Sequence, residues 1–538
     1  LETLKFYKHC AGDIELREVL KSEWGMDFTN ASDAKIGNDY FIKCLEEALP
    51  DACYTNIGGR RKPRQTKRDS INLGECIFPY VKFERPEFNA VLNWLKSKTI
   101  TETKGTFSDI PDHELGDVAK YARLTEKKKK LKVSGEADKD LAKELRKQIR
   151  ELEKTGGDKS EIESLRDQIC GKPVPSEVDK MFKLYPMGWI EREVLKSGKT
   201  SYYFKWNVAE TLNVVIDGLE YVFGTGGIHA SRESVTYVAD QNRMIMDIDV
   251  ASMYPNLFIG NKVYPEHLSE TFCEIYEMLT SVYGRTNDKY SVFYDPKATM
   301  TITINGQLSL CMLTEMLMKE FDNIEFIQLN TDGITYIANR EDYDKIWSVI
   351  KDWELLTGLQ MEDALYSKMA IRDVNSYIAV YEESGKIKLN GAYEHRIAHI
   401  DGEGLAFHQN QSMVVIKRAA VEQIVNGTPV EKTIRSCKNP FDFCGRTKVP
   451  RSSRLVSVNE EGIEYSEQNI CRYYIAKDGR SLIKIMPPLE EGKDERYLSI
   501  NAGQKVRTCN NIKDFSFKDI DYDYYIDEAK KMVENVGG

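Results

Sequence analysis

Asp247 and Asp249, two residues apart in the sequence, could lie beside a bound cation. In residues 244–250, apolar side chains alternate with Ile245, Asp247 and Asp249, which is the period of a strand with two different faces. Both carboxylates therefore lie on one face of the predicted strand. A carboxylate that stays charged there needs a cation beside it, because burying it alone is costly or leads to protonation. Tyr254 and Pro255 are expected to end the strand, since proline cannot donate to a ladder.

A third aspartate, Asp332, is predicted at the tip of a tight hairpin. Strand-like runs at 325–329 and 334–337 flank Asn330-Thr331-Asp332-Gly333, and Asn, Asp and Gly tolerate the positive φ of such turns. Helical stripes at 310–321 and 346–353 lie on either side. The order of strand, helix, hairpin, helix and strand is close to the β-α-β-β-α-β arrangement. In that arrangement the first strand and the hairpin can be neighbours in one antiparallel sheet, so that Asp249 and Asp332 would converge.

These residues resemble two signatures of family B DNA polymerases. Residues 249–255, Asp-Val-Ala-Ser-Met-Tyr-Pro, are similar to the first signature, Asp-x-x-Ser-Leu-Tyr-Pro, and the match implies that Asp249 rather than Asp247 binds metal. Residues 330–333 are similar to Asp-Thr-Asp-Ser, in which the later aspartate holds the metals. The chain departs from that pattern at Asn330 and Gly333.

A third segment, residues 279–285, is similar to the Lys-x-x-x-Asn-Ser-x-Tyr-Gly motif of the same family. Thr280 stands at the asparagine position and Tyr276 at the lysine position. The interval from Pro255 to Thr280 is short for a pair of finger helices at about 1.5 Å per residue. We therefore expect that a segment is missing just before Glu277.

Weaker elements extend the resemblance. Gly226 and Gly227 are similar to the Tyr-x-Gly-Gly element that holds the template strand, whereas the nearby His229 is expected to be structural. Tyr377 stands where the family has Lys-x-Tyr near the primer terminus. Asp13 is the exonuclease candidate, because residues 9–13 resemble the Tyr-x-x-x-Asp element of proofreading domains. The other exonuclease carboxylates are not found, so proofreading is not assigned.

The resemblance implies a phage-type, template-directed DNA polymerase that extends a primer with dNTPs by two-metal phosphoryl transfer. Its implied fold is α+β, a multi-domain right hand with a β-α-β-β-α-β palm, fingers, a thumb and an N-terminal mixed region. Asp249 and Asp332 are the implied catalytic residues, and together with the carbonyl of Val250 they would hold two Mg²⁺ ions, or Mn²⁺.

The resemblance also implies binding roles. The nucleotide-binding residues would be Ser252, Met253, Tyr254, Thr280, Tyr283 and Gly284, with Tyr254 excluding a ribose 2′-hydroxyl. The template and primer would contact Gly226, Gly227 and Tyr377. The implied partners are primer–template DNA, dNTPs and phage replication proteins, with no membrane.

Two other functions compete with DNA synthesis. One is an RNA-templated or RNA-synthesising polymerase, since similar palms host both chemistries. The other is a catalytically degenerate polymerase fold that serves as a DNA-binding scaffold. Asn330 and the absent motif lysine motivate the second alternative.

The length of 538 residues favours several domains, since single cores stop growing at roughly 250 to 300 residues. The expected division is the end of an exonuclease-like domain at 1–25, a connecting domain at 26–110, a charged helical-hairpin insertion at 111–200, a first palm part at 201–262, an incomplete fingers remnant at 263–282, a second palm part at 283–400, and a thumb and C-terminal region at 401–538.

The net charge of −10 gives no global footprint for nucleic acid, so any such surface must be local. The basic segment 446–454 suits duplex phosphates. The lysine run 127–130 precedes a predicted helical hairpin, whose second helix would start at a capping box formed by Ser160 and Glu163. That run is expected to be a solvated face.

Eleven cysteines without Cys-x-x-Cys pairs disfavour disulfide and zinc frameworks. No apolar run approaches the roughly 20 residues of a membrane span. We expect a cytoplasmic protein, in an infected bacterial cell if the phage assignment holds. The leucine at position 1 suggests that upstream sequence is absent.

Overall fold

The computed structural model describes residues 7–8, 10–194, 200–276, 285–395, 412–490 and 492–537. Helices and strands alternate along these ranges, so the fold is mixed α+β, as predicted. None of the helices in the described ranges combines the length and the apolar character needed to cross a bilayer.

The first part of the chain is helical with short strands. Its helices are α1 (Ala11–Trp24), α2 (Asp33–Ala48), α3 (Pro86–Ser97), α4 (Asp112–Leu115), α5 (Lys139–Thr155), α6 (Lys159–Cys170) and α7 (Pro175–Leu184). Its strands are β1 (Tyr54–Ile57), β2 (Arg60–Pro63), β3 (Ile71–Asn72), β4 (Thr99–Ile100), β5 (Ser108–Pro111), β6 (Thr125–Lys130), β7 (Val133–Ser134), β8 (Lys172–Pro173) and β9 (Trp189–Val194). Helix α1 buries none of its residues.

The predicted helical hairpin is present as α5 and α6, but its second cap differs from the prediction. Asp158, not Ser160, is the N-cap of α6, and its carboxylate accepts a hydrogen bond from the Ser160 N–H at 3.0 Å. Asp158 is the cap because its extended backbone places the short carboxylate against the N–H groups of the first helical turn.

The lysine run before this hairpin is a paired strand and not a free basic face. In β6, Lys128 lies 2.8 Å from Glu193 and Lys129 lies 3.2 Å from Glu177, while Lys127 pairs with Glu210. The positive charges are therefore largely met by acids on neighbouring elements.

The middle of the chain builds the main sheet. Its strands are β10 (Thr200–Ile216), β11 (Leu219–Gly224), β12 (Gly227–Ser231), β13 (Val235–Val238), β14 (Arg243–Val250), β15 (Glu325–Leu329), β16 (Gly333–Asn339), β17 (Met361–Asp373), β18 (Ser376–Tyr381) and β19 (Ile387–Leu389). Its helices are α8 (Met253–Gly260), α9 (Thr271–Tyr276), α10 (Pro296–Glu320) and α11 (Tyr343–Thr357).

The sheet order around β14 is the predicted β-α-β-β-α-β arrangement. The strands lie in the order β19-β18-β17-β14-β16-β15-β12-β11-β10-β5. Strand β14 is antiparallel to both β17 and β16, and β16 is antiparallel to β15. The hairpin β15–β16 therefore lies directly beside the strand that carries Asp249.

The predicted end of that strand is wrong by a few residues. Strand β14 stops at Val250, and Tyr254 and Pro255 belong to the first turn of α8. A proline is tolerated in a first helical turn, because its missing N–H would have had no partner inside the helix.

Helix α10 packs beneath the sheet and is buried along most of its 25 residues. Several of its buried polar side chains donate to carbonyls four residues earlier, as the Thr303 hydroxyl does to the Thr299 carbonyl at 2.9 Å. Helix α11 packs on it, and the Trp353 indole N–H donates to the Ser309 carbonyl at 2.8 Å. These contacts hold both crossover helices in one core with β14 and β16.

The last part of the chain forms a second core. Its helices are α12 (Val414–Asn426), α13 (Val430–Ser436) and α14 (Tyr522–Glu534), and its strands are β20 (Gly445–Lys448), β21 (Arg454–Val458), β22 (Glu464–Glu467), β23 (Ile470–Met486), β24 (Arg496–Ile500) and β25 (Val506–Thr508). These six strands make one sheet built around β23. Its cysteines are free thiols, and Cys444 and Cys509 lie with their sulfurs 3.6 Å apart.

Candidate active site

Asp249 and Asp332 lie at the same end of the central sheet. The register of β14 and β16 pairs Asp249 with Gly333, and the Val250 N–H donates to the Asp332 carbonyl at 2.7 Å. The turn closes because the Asn330 N–H donates to the Gly333 carbonyl at 2.9 Å. The structure thus brings together the two aspartates that the sequence singled out.

Gly333 makes room for the Asp249 carboxylate. A Cβ atom at this position would collide with Oδ1 of Asp249 and would lie 3.0 Å from the Ile248 carbonyl oxygen. Rotation of the Asp249 side chain could relieve the first contact, whereas the second is with main chain and is tighter than most real Cβ contacts. The glycine that departs from the Asp-Thr-Asp-Ser pattern is therefore matched to the position of its neighbour's carboxylate.

The charge around Asp249 is not balanced by the protein. Burial, and then the carboxylate of Asp247, raise the pKa of Asp249 to about 7, while Lys388 opposes this shift and Asp332 and Glu362 add to it. Within the described part of the chain, neither Asp249 nor Asp332 receives a hydrogen bond on its carboxylate. Asp332 is exposed, so one acid of the pair faces solvent.

Asp247, on the same face of β14, is satisfied by the protein instead. Its Oδ1 accepts a hydrogen bond from Thr335 Oγ1 at 2.6 Å, and its Oδ2 accepts one from the Tyr366 hydroxyl at 2.6 Å. Lys388 Nζ lies 3.5 Å from the same Oδ2. The cation that the alternating pattern required is thus, for Asp247, a lysine from a later strand.

Sequence reasoning missed these three partners of Asp247. Thr335 could have been found, because the pairing of β14 with β16 that brings Asp249 beside Gly333 also places Thr335 opposite Asp247. Tyr366 and Lys388 could not, because they come from β17 and β19, whose positions in the sheet no local pattern gives.

The first turn of α8 starts beside Asp249. Ser252 precedes it with φ 46° and ψ 51°, a left-handed conformation that is uncommon for a residue other than glycine. The Met253 side chain is buried, so only its main chain can face a ligand. Gly306 of α10 permits this packing, since a Cβ there would lie 3.2 Å from Met253 Cε and 3.4 Å from Tyr254 Cε1.

Tyr254 is tied to the glycine segment 224–227. Its hydroxyl donates to the Gly226 carbonyl at 2.8 Å. The Gln307 amide of α10 pairs with both main-chain groups of Gly224, accepting from its N–H at 3.2 Å and donating to its carbonyl at 3.0 Å. The segment is therefore held by residues of α8 and of α10.

The same segment packs against the hairpin tip. Gly227 has φ 143°, and a Cβ on it would come within 2.7 Å of Thr331 Cγ2. His229 is half-buried with its Nε2 3.4 Å from Thr331 Oγ1, and burial lowers the pKa of its imidazole. The contact supports the structural role expected for His229.

No family model and no curated protein matches the chain. Among solved structures, the family B DNA polymerase from the hyperthermophilic archaeon Pyrobaculum calidifontis is similar at 12% sequence identity with a TM-score of 0.33. The match covers 57% of this chain and 46% of that polymerase, so it spans less than half of that protein's length. A likeness at this TM-score carries no weight for fold or activity.

Tyr377 lies near the acids of β14, since Lys388, which contacts Asp247, also approaches its ring. Tyr377 is buried in β18, and Lys388 Nζ is 5.8 Å from the centre of its ring. Asp13 is an exposed residue in the first turn of α1. Thr280, Tyr283 and Gly284 lie outside the described residues, as does the side chain of Tyr276.

No group of three or more His, Cys, Asp or Glu side chains in the described ranges is arranged to hold a metal. A cation at this site would therefore rely on two carboxylates, Asp249 and Asp332, and on main-chain oxygens. Such hard oxygen donors suit Mg²⁺ or Mn²⁺. The raised pKa of Asp249 fits a cation site, because burial and the neighbouring carboxylates outweigh the positive charge of Lys388.

Proposed function

We propose that this chain is a template-directed DNA polymerase that extends a primer with dNTPs. One observation carries the proposal: Asp249 and Asp332 meet at one sheet end, beside the first turn of α8. Two carboxylates next to the start of a helix can hold a metal-bound triphosphate.

In this proposal each residue has a separate task. Asp249, Asp332 and the carbonyl of Val250 would hold two Mg²⁺ ions, which when bound lower the pKa of a primer 3′-hydroxyl and neutralise the leaving pyrophosphate. The main-chain N–H groups of Met253 and Tyr254, at the start of α8, would bind phosphate oxygens. The side chain of Ser252 would supply a further donor.

Selection of the sugar and the template would use the contacts of Tyr254. Its ring would exclude a ribose 2′-hydroxyl, and Gly226 and Gly227 would let the template backbone approach. Sequence would be read by base pairing, so the protein would mainly contact phosphates and bind DNA with strong salt dependence.

The basic strand β20 and the turn after it would grip the duplex. Arg446, Lys448 and Arg451 are exposed, whereas Arg454 is paired with Glu464 at 3.1 Å and Glu495 at 3.0 Å. We assign phosphate contacts to the first three and not to Arg454.

The finer expectations rest on the sequence motifs alone. They are the family B assignment, the right-hand architecture with fingers and thumb, the phage type, phage replication proteins as partners, and a bacterial cytoplasm as compartment. Thr280, Tyr283, Gly284 and Tyr377 keep their proposed nucleotide and primer roles on the same basis.

Primer extension tests the proposal. The wild-type protein should extend a labelled primer on a DNA template with Mg²⁺, and Asp249→Ala and Asp332→Ala should each reduce extension at least about a hundredfold. Asp352→Asn, an exposed acid on α11, is the matched control and should extend like the wild type.

A parallel measurement of primer–template affinity distinguishes a DNA polymerase from a DNA-binding scaffold. If wild-type protein binds DNA but extends no primer, the chain is a DNA-binding scaffold, the function that Asn330 favours. Equal extension by the wild type and both alanine variants would refute the assigned site.

A further inference from the structure

Asp247 and Asp249 have the same chemistry and lie on the same face of β14, yet only one is left open to a ligand. Asp247 is 6% exposed and is approached by the hydroxyls of Thr335 and Tyr366, each at 2.6 Å. Asp249 receives no hydrogen bond on its carboxylate from the described residues. Something in the protein therefore distinguishes the two aspartates.

Lys388 is the charged part of that difference. It belongs to β19, and two strands, β18 and β17, lie between it and β14. Its side chain crosses both, with Nζ 5.8 Å from the ring centre of Tyr377 and 5.9 Å from that of Tyr366. It ends 3.3 Å from the Tyr366 hydroxyl and 3.5 Å from Asp247 Oδ2.

The surroundings make this ammonium a fixed charge. Both ring centres lie within the roughly 6 Å at which a cation is attracted to an aromatic face. The side chain is only 34% exposed although lysine is long and flexible. The lysine is thus held along the sheet surface and directed at the acids.

We propose that Lys388 is a positioning residue that keeps Asp247 occupied, so that a divalent cation binds through Asp249 and Asp332 alone. This inference rests on the proposed function. Without the ammonium, Asp247 would keep its two hydroxyl donors but regain a free acceptor site. The net charge of the cluster formed by the acids and residue 388 would be more negative by one unit. A cation could then bridge Asp247 and Asp249 along β14, away from the exposed Asp332.

A purely structural lysine, which would only pin β19 to the sheet, predicts a different result. Its loss would lower stability and change metal affinity only through its charge, so that Asp247→Asn would cost the same affinity with Lys388 present or absent. Metal binding therefore discriminates between the two roles, and it can be measured without turnover.

Mn²⁺ titration of the full chain, followed by the electron paramagnetic resonance signal of free Mn²⁺, is the test. Lys388→Met should bind Mn²⁺ about tenfold more tightly than wild type, because the cation gains Asp247 as a ligand and loses a repelling charge. Lys388→Arg should bind like wild type, since it keeps the charge. Lys386→Met, an exposed lysine two residues earlier, is the matched control and should also bind like wild type.

Changes at Asp247 complete the test. Adding Asp247→Asn to Lys388→Met should return the affinity to the wild-type value, because the extra ligand is removed. Asp247→Asn alone should leave Mn²⁺ affinity within about twofold of wild type, and this variant decides the matter if Lys388→Met does not fold. A tenfold loss in Asp247→Asn would overturn the proposal, since Asp247 would then be a ligand in the native site.

Asp249→Asn separates failure of this inference from failure of the proposed function. If Asp249→Asn binds Mn²⁺ as tightly as wild type, the proposed metal site itself is wrong. If it loses Mn²⁺ while a folded Lys388→Met binds as wild type does, only the role of Lys388 is overturned.

Discussion

At the scale of single residues, the acids of the site differ by what surrounds each of them. Asp247 has hydroxyl and ammonium donors, whereas Asp249 has neighbouring carboxylates and a pKa of about 7. The alternation of apolar and polar residues in 244–250 predicts that both aspartates lie on one face of the strand. It does not indicate which of the two would bind metal. Only the motif resemblance favoured Asp249, and the tertiary contacts supply the physical reason.

Stability of the metal-free protein should depend on pH through Asp249. Its folded pKa of about 7 lies above the ordinary value of 3.8, so the stabilising contribution of the protonated form is fully present below about pH 4 and is lost as pH rises through about 7. Asp249→Asn removes the charge and should raise the free energy of unfolding at pH 8.5 by roughly 1–4 kcal/mol.

Urea unfolding in EDTA, followed by tryptophan fluorescence, measures this difference. At pH 4 the variant and the wild type should be nearly equal in stability. Asp352→Asn serves as the control at both pH values. A variant that is less stable than wild type at pH 8.5 would contradict the electrostatic origin of the shift.

Tyr254 provides a second prediction at this scale. Tyr254→Ala removes both the ring and the hydroxyl that bonds to Gly226. If the chain makes DNA, ribonucleotide incorporation should rise at least about tenfold relative to dNTP incorporation, because a single misfitting group changes discrimination by roughly 1–3 kcal/mol. Single-nucleotide extension with rNTPs and dNTPs gives the ratio, and an unchanged ratio would favour a polymerase that already accepts ribonucleotides.

At the scale of elements, the hairpin and the strand beside it could be predicted because their signals are local. Asn330-Thr331-Asp332-Gly333 between two apolar runs specifies a tight turn, and the observed strands end at Leu329 and resume at Gly333. Helix α10 was only half predicted, from Leu310 to Phe321, whereas it begins at Pro296. Burial on nearly all sides removes the amphipathic period that marks a surface helix.

Helix α10 should also determine the stability of the glycine segment. Gln307→Ala leaves the N–H and the carbonyl of Gly224 without their side-chain partner. We expect a loss of about 1–3 kcal/mol in stability, because unsatisfied buried polar groups carry a desolvation penalty. Thermal melting measures the loss, and primer–template affinity should fall in the same variant. A Gln307→Ala variant that is as stable as wild type but binds template more weakly would show that Gln307 positions the glycine segment without stabilising the fold.

At the scale of the whole molecule, charge is distributed so that composition conceals the basic surfaces. The net charge is −10, yet β20 and its turn expose Arg446, Lys448 and Arg451. The longest lysine run, in β6, is paired with glutamates from other elements. The sequence could show both clusters, but the acids that pair with one of them are distant in the chain.

Salt dependence of DNA binding should separate the two clusters. Replacing Arg446, Lys448 and Arg451 by alanine should reduce the slope of log affinity against log salt by roughly 2–3, at about 0.9 per lost phosphate contact. The matched control replaces Lys128 and Lys129 by alanine and should leave the slope unchanged. Fluorescence anisotropy with a duplex primer–template at several NaCl concentrations gives both slopes, and a larger effect of the control pair would assign the DNA surface to β6.

The link between β14 and α8 consists of two residues, Ala251 and Ser252, and the second has a left-handed backbone. So short a link leaves no slack, because Asp249 cannot shift without carrying the first helical turn with it. An incoming substrate would therefore find Asp249 and the first turn of α8 already positioned relative to each other. Binding there would order little of the chain. Movement during binding would have to come from parts of the chain joined by longer segments, while Asp249 and the first turn of α8 stay fixed relative to each other.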